Sequence, residues 1–298
     1  LCEAILGLPN AQKPFASMTM KRNASLHSGD FHMNTMMNCF DPENLQKLAQ
    51  QSRSAYAQAE PFPHIVIDNF LPEAVLDAVL AEFPDPKAID WQKFEAAAER
   101  KLASKSEQQM GEATRLLLYQ LNSSTFIEFL ETLTGIEGLI ADPHFTGGGL
   151  HQIERGGFLK MHVDFNRNER LKLDRRLNLL IYLNRDWKEE YGGHLELWNE
   201  QITQCGQKIL PVFNRCVIFS TTDFSYHGHP EPLTCPEGMT RKSLALYYYS
   251  NGRPAHETRI GDHSTVFRAR PGEILKIEKP PVSVKQLVKQ MIPGLKRK

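Results

Sequence analysis

The chain has 298 residues, 41% of them hydrophobic and 23% charged, which suits one large domain or a domain with an added helical layer. Its 35 basic and 35 acidic side chains cancel, so no bulk field recruits nucleic acid or an anionic membrane. No apolar run approaches the roughly 20 residues needed to span a bilayer. The five cysteines (Cys2, Cys39, Cys205, Cys216, Cys235) are odd in number and scattered. That spacing argues against a disulfide framework or a zinc knuckle, and for a reducing compartment, here taken as the cytoplasm.

Within residues 1–40, residues 1–36 are rich in Met, Ser, Asn and His, and Leu1 to Leu8 is a short apolar stretch without a basic region before it. A signal peptide is therefore not expected. The stretch reads as a disordered or non-native extension, with Met33, Met36 or Met37 as the native start. Residues 41–275 read as one domain, helical over 41–138 and β-rich over 139–275, followed by a basic tail at 276–298.

Asp41 can cap a helix that starts on Pro42 and runs to about Ala59. Phe62 to Phe70, bounded by prolines, reads as a strand. A second helix opens at Leu71-Pro72-Glu73, with Val75, Leu76, Val79 and Leu80 along one face. The charged, Ala-rich stretch 88–110 reads as helix with a mobile part. Ala113 to Leu121 and Ser124 to Leu133 read as two more helices, the second capped by Ser123 or Ser124 and stopped by Gly135.

From about Leu139 the pattern changes to short β-rich runs between Gly, Asn and Pro turns. These are Gly149 to Glu154, Phe158 to Val163, Arg176 to Leu183, His194 to Trp198, Cys216 to Ser220 and Lys242 to Ser250. Such spacing predicts a sandwich or barrel, not βαβ units. The polar segment Asn166 to Arg176, with five basic residues, reads as a lid or substrate-contact loop. Ser283 to Lys298 reads as a short basic amphipathic helix broken at Pro293.

The chemistry-bearing feature is Met161-His162-Val163-Asp164. Alternate side chains of a strand share a face, so His162 and Asp164 present one imidazole and one carboxylate to a common point. A histidine from elsewhere would complete a 2-His-1-carboxylate set, which leaves open positions on Fe(II). Ser225-Tyr226-His227-Gly228-His229-Pro230 offers two candidates, His227 and His229. Fourteen residues after His227, Arg241 opens a run in which Arg241, Ser243, Ala245 and Tyr247 share a face. A guanidinium and a hydroxyl side by side suit a carboxylate.

In this order of His-x-Asp, distant His and Arg-x-Ser, the sequence resembles the 2-oxoglutarate/Fe(II) oxygenases, specifically their prolyl 4-hydroxylase-like branch. The resemblance runs from Phe62 to Ser250. It includes Pro63 to Leu71, Gly147 to His151, Gly156 to Leu159, Leu180 to Asn184 and Gly192 to Trp198. It implies a double-stranded β-helix, a jelly roll of two facing sheets with helices outside the larger one. Carried over by position, it implies His162, Asp164 and His227 as iron ligands, with His229 as the rival for the third. It pairs Arg241 and the Tyr182 hydroxyl with the C5 carboxylate of 2-oxoglutarate, and places Ser243 and Leu180 beside them. Gln152 stands where the family has a tyrosine, ten residues before the first ligand, and is assigned to the co-substrate's other end.

The implied reaction hydroxylates a C–H bond with O₂ while 2-oxoglutarate becomes succinate and CO₂, with ascorbate as an accompanying reductant. A carboxylate at Asp164 favours hydroxylation over halogenation. The branch suggests a prolyl residue of a protein or peptide as substrate, with a small molecule as the other option. Two further classes are a non-catalytic jelly roll that binds a ligand and a nucleic-acid-directed oxygenase. The intact triad with Arg241 argues against the first. Neutral charge and the lack of an aromatic–basic base-flipping patch argue against the second.

Overall fold

The computed structural model describes residues 39–259 and 261–275. The expected extension up to residue 38 and the basic tail lie outside the described residues. The first helix, α1, spans Pro42–Ala57. The Asp41 carboxylate accepts hydrogen bonds from the N–H groups of Glu43 (2.9 Å) and Asn44 (3.2 Å). Pro42 occupies a first-turn position where no N–H is needed. Strand β1 (His64–Asp68) and helix α2 (Glu73–Ala81) follow. Val75, Leu76 and Val79 are buried and Leu80 partly so.

Between α2 and the next helix the expected helix is absent. Residues 92–103 form an antiparallel hairpin of β2 (Gln92–Ala96) and β3 (Glu99–Ala103). Helices α3 (Glu112–Leu121) and α4 (Ser124–Thr134) come next. The Ser123 hydroxyl accepts from the N–H of Phe126, and Gly135 ends α4 at φ 72°, a left-handed conformation that glycine adopts without a Cβ penalty.

The rest is β-rich. In order come β4 (Ile140–Ala141), β5 (Gly149–Ile153), β6 (Phe158–Val163), β7 (Arg167–Asn168), β8 (Leu173–Tyr182) and β9 (Leu195–Trp198). Then follow β10 (Cys205–Ile209), β11 (Arg215–Ser220), β12 (His227–His229), β13 (Arg241–Ser250) and β14 (Val266–Phe267). One antiparallel layer runs β1-β11-β8-β13-β5 and the facing one β6-β12-β9-β10. Strand β3 joins them. Its C-terminal end pairs with β5 (Leu102 opposite Gln152) and its N-terminal end with β6 (Glu99 opposite Leu159). That double pairing explains the failed helix. Alanine and charged residues favour helix locally, but tertiary context overrides so weak a preference.

The pleat of β8 sorts the two cores. Leu177, Leu179 and Ile181 face outward, where with Ile218, Leu244 and Leu246 they pack against α2, α3 and α4 through Val79, Leu117, Phe126 and Phe129. Each such fully buried side chain contributes about 1.5–3 kcal/mol by leaving water. Leu180 and Tyr182 face inward, with Leu195, Leu197, Val217 and Phe219. The architecture is the expected jelly roll with helices outside the larger sheet. The part before residue 139 is more than a helical layer, because β1, β2 and β3 belong to the sheets. No helix among the described residues is long and apolar enough to cross a membrane.

The segment Asn166 to Arg176 is a tight hairpin of β7 and the start of β8, not an open loop. Arg175 and Arg176 are buried, and Arg176 pairs with Glu257 at 3.1 Å. Arg167 pairs with Asp174 at 3.1 Å. Only Arg170 and Lys172 of the five basic residues are exposed. The basic lid is thus mostly internal wiring, because its last two arginines fall on a central strand.

Candidate metal centre and co-substrate pocket

His162 and His227 lie directly opposite each other on paired strands β6 and β12, and their ring centroids are 4.3 Å apart. Asp164 follows just beyond the end of β6, on the same face as His162. Its Oδ1 lies 3.6 Å from His162 Nε2, and its Oδ2 lies 3.2 Å from His227 Nε2. One donor atom from each residue fits within 4.8 Å of the other two.

The imidazole tautomers follow from the neighbours. His162 Nδ1 lies 2.9 Å from Lys160 O, and His227 Nδ1 lies 3.0 Å from Ser225 O. A carbonyl oxygen only accepts, so in each neutral ring Nδ1 carries the proton and donates it. Both Nε2 lone pairs are then turned toward a carboxylate. Lone pairs facing anionic oxygens at this distance repel unless a cation or proton lies between them. A backbone carbonyl holding the remote nitrogen is the usual support of a metal-binding histidine. The donor set therefore suits a metal ion.

Asp164 is held from behind. Its Oδ2 accepts from Arg175 Nη2 at 2.9 Å and from Asn178 Nδ2 at 2.7 Å. Arg175 is itself fixed: it donates to Asn178 Oδ1 at 2.9 and 2.5 Å and stacks 3.4 Å from the Tyr247 ring centroid and 4.5 Å from that of Phe165. Burial favours a neutral Asp164. Neighbouring positive charge, Arg175 foremost, nevertheless holds the carboxyl well below the ordinary carboxylate range. Asn178 faces inward, as its place on β8 predicts. The role of Arg175 was hidden by reading its segment as a loop.

Gly228 makes the opposition of the two histidines possible. A Cβ there would lie 2.7 Å from Leu159 O and 2.9 Å from Lys160 O. Gly228→Ala is expected to push β12 away from β6, lowering stability by about 1–3 kcal/mol. Since His227 moves with it, the variant should also retain less metal, read by urea unfolding and by metal content after dialysis.

A cavity of about 570 Å³, its mouth included, opens beside the triad. Of the residues assigned to the co-substrate, Leu180, Ser243 and Arg241 line it, together with His151, His229 and Lys101. Arg241 is 5% exposed. Its Nε donates to Gly193 O at 2.8 Å and its Nη2 to the Tyr182 hydroxyl at 3.3 Å. Both partners are neutral, and among the described residues no carboxylate pairs with it. Burial lowers its basicity, and contact with Tyr182 restores part of it. A buried guanidinium without an anion is costly, so the cavity suits an anionic ligand. Gly193, at φ 73°, lets the arginine pass, since a Cβ there would lie 3.0 Å from Arg241 Cδ.

Gln152 is not in the cavity. The pleat turns it away between His151 and Ile153, both of which line the cavity. Its amide donates to Pro84 O at 3.1 Å and accepts from the Thr240 hydroxyl at 2.7 Å. Counting residues back from the first ligand picked the wrong parity. The signal that would have corrected it is register, because His151 stands opposite Ser243, which faces inward. His151 donates from Nε2 to Gly147 O at 3.0 Å. Burial, then the charge of Lys101, pushes the His151 pKa down to about 3, so it is neutral near pH 7.

Residues 148–249 match the model of the 2OG-Fe(II) oxygenase superfamily. Among solved structures, a prolyl-4-hydroxylase from Pseudomonas putida is 18% identical, covering 68% of this chain and 100% of its own, with a TM-score of 0.50. A prolyl hydroxylase from Trichoplax adhaerens, in complex with a hypoxia inducible factor peptide fragment, is 16% identical over 70% of this chain and 91% of its own, with a TM-score of 0.47.

Proposed function

We propose that this chain, a 2-oxoglutarate/Fe(II)-dependent oxygenase by the family match of residues 148–249, holds its iron on His162, Asp164 and His227. The observation that carries this assignment is the convergence of two Nε2 atoms on one carboxylate, each imidazole held through Nδ1 by a backbone carbonyl. Bound Fe(II) supplies the O₂ chemistry that couples decarboxylation of 2-oxoglutarate to succinate and CO₂ with hydroxylation of a C–H bond.

The remaining tasks fall to the protein. Arg241 receives the distal carboxylate of 2-oxoglutarate, with the Tyr182 and Ser243 hydroxyls beside it. Leu180 packs against the carbon chain. Arg175 and Asn178 keep Asp164 charged and fixed in direction. Phe219, whose ring lies 4.7 Å from that of His227, and Phe267, 5.5 Å from His162, keep the metal side apolar, which excludes competing water.

The substrate in this reading is a prolyl residue of a protein or peptide. The fold shared with the Pseudomonas putida enzyme supports it, as do the half-buried side chains Lys101, Leu159 and Tyr247 that line the cavity. Ascorbate serves as the reductant that keeps iron ferrous. The free thiols of Cys39, Cys205, Cys216 and Cys235 fit a cytoplasmic setting.

The test is anaerobic loading with Fe(II) and 2-oxoglutarate, then admission of O₂ with and without proline-containing peptides. Succinate is expected to form, faster with an accepted peptide, whose mass rises by one oxygen atom. A chain that binds neither iron nor 2-oxoglutarate overturns the reading. Turnover with hydroxylation of small molecules alone would move the substrate out of the peptide class.

A further inference from the structure

Four imidazoles line the cavity, and three are tied to backbone carbonyls: His162 to Lys160 O, His227 to Ser225 O and His151 to Gly147 O. The fourth, His229, is 4% exposed, and among the described residues neither of its buried ring nitrogens has a hydrogen-bond partner. A neutral imidazole has one N–H to give and one lone pair to fill. Leaving a buried polar group unpaired is costly, and native interiors rarely tolerate it without a use.

His229 does not complete the metal set, which comprises His162, Asp164 and His227. The register of β12 on β6 shifts after His227, so that His229 stands opposite Leu159 rather than Lys160. The charged groups that bear most on its ring are Arg241, then Lys101. His229, Arg241 and Lys101 line the same cavity. There a buried guanidinium spends its hydrogen bonds on neutral partners only. Unused donors and positive charge in one cavity complement a carboxylate.

We propose that His229 donates an N–H hydrogen bond to the distal carboxylate of 2-oxoglutarate, completing the grip of Arg241 and Tyr182 from the opposite sheet. Arg241 and Tyr182 lie on β13 and β8, whereas His229 lies on β12 across the roll. The carboxylate is then gripped by both sheets at once. The proposal rests on the reading that Arg241 receives this carboxylate.

The test uses the full chain loaded with Fe(II) under anaerobic conditions, as wild type, His229→Leu and His229→Asn. Each is titrated with 2-oxoglutarate and with 2-oxopentanoate, the same chain length without the distal carboxylate. Binding is followed by the visible charge-transfer absorption that a chelated 2-oxo acid gives with Fe(II). His229→Leu should bind 2-oxoglutarate about ten- to a hundredfold more weakly, the factor for losing one hydrogen bond to a charged group. His229→Asn, which keeps an N–H donor, should lose less. Affinity for 2-oxopentanoate and iron content should match wild type in both variants.

Unchanged affinity for 2-oxoglutarate in His229→Leu overturns the proposal, as does an equal loss for both acids. Loss of iron from either variant makes His229 a metal ligand and also overturns it. If His229→Leu does not fold, His229→Asn decides by the same comparison. Wild type that binds iron but no 2-oxoglutarate overturns the underlying reading of Arg241, a result distinct from wild-type binding that the variants leave unaltered.

Discussion

His162→Ala is expected to lose its iron on dialysis, with metal affinity falling by more than about a hundredfold, since changes merely behind a ligand already cost about ten- to a hundredfold. Succinate formation should fall with it. The folded state should survive, because His162 contributes one hydrogen bond, to Lys160 O, worth about 0.5–1.5 kcal/mol. Asp164→Ala should lose iron equally but behave differently without metal. Arg175 is 1% exposed, and its charge would be left facing an alanine. Breaking a buried pair by removing one partner costs about 3–5 kcal/mol. The two variants, compared by urea unfolding in a chelator, therefore separate ligation from the electrostatic role of the carboxylate. Equal unfolding midpoints would show that Arg175 does not depend on Asp164.

Arg241→Met should leave iron binding intact and raise the KM for 2-oxoglutarate. Removing one side of a buried charged pair costs about 2–5 kcal/mol, or about thirtyfold to several thousandfold in affinity. Methionine keeps much of the volume, so packing beside Gly193 changes little. The free protein should not be destabilised, because among the described residues the buried guanidinium has only Gly193 O and the Tyr182 hydroxyl as hydrogen-bond partners. A variant no less stable than wild type but unable to capture co-substrate is the signature of a residue kept for binding rather than folding. A KM within twofold of wild type would remove Arg241 from the pocket's function.

What the sequence disclosed followed from short-range geometry. His162 and Asp164 sit two apart on a strand, so the pleat alone puts them on one face. Arg241, Ser243 and Tyr247 are related in the same way along β13, and all three line the cavity. The pairing of His227 with His162 is a long-range contact, and on the residues alone His229 was an equal claimant. What stayed hidden depended on register between strands. Gln152 has the right position by count and the wrong side by pleat. Arg175 looked like part of a charged loop because its neighbours are polar, yet β8 carries it into the interior. The hairpin at 92–103 has a helix-like composition and becomes strand only because β5 and β6 offer free edges.

That hairpin has a consequence for any attempt to dissect the molecule. Strand β3 bonds to one sheet at each of its ends and brings Lys101 to the cavity. It thus serves as a stave that closes the wall of the roll. A fragment trimmed to 148–249, however well it matches the family, would open a slot in that wall, uncover the edges of β5 and β6 and, with β1 gone, uncover β11 as well. Such edges invite pairing with other chains. The shortest piece that can be handled on its own is therefore set by a wall strand supplied from outside residues 148–249, not by the spacing of the metal ligands.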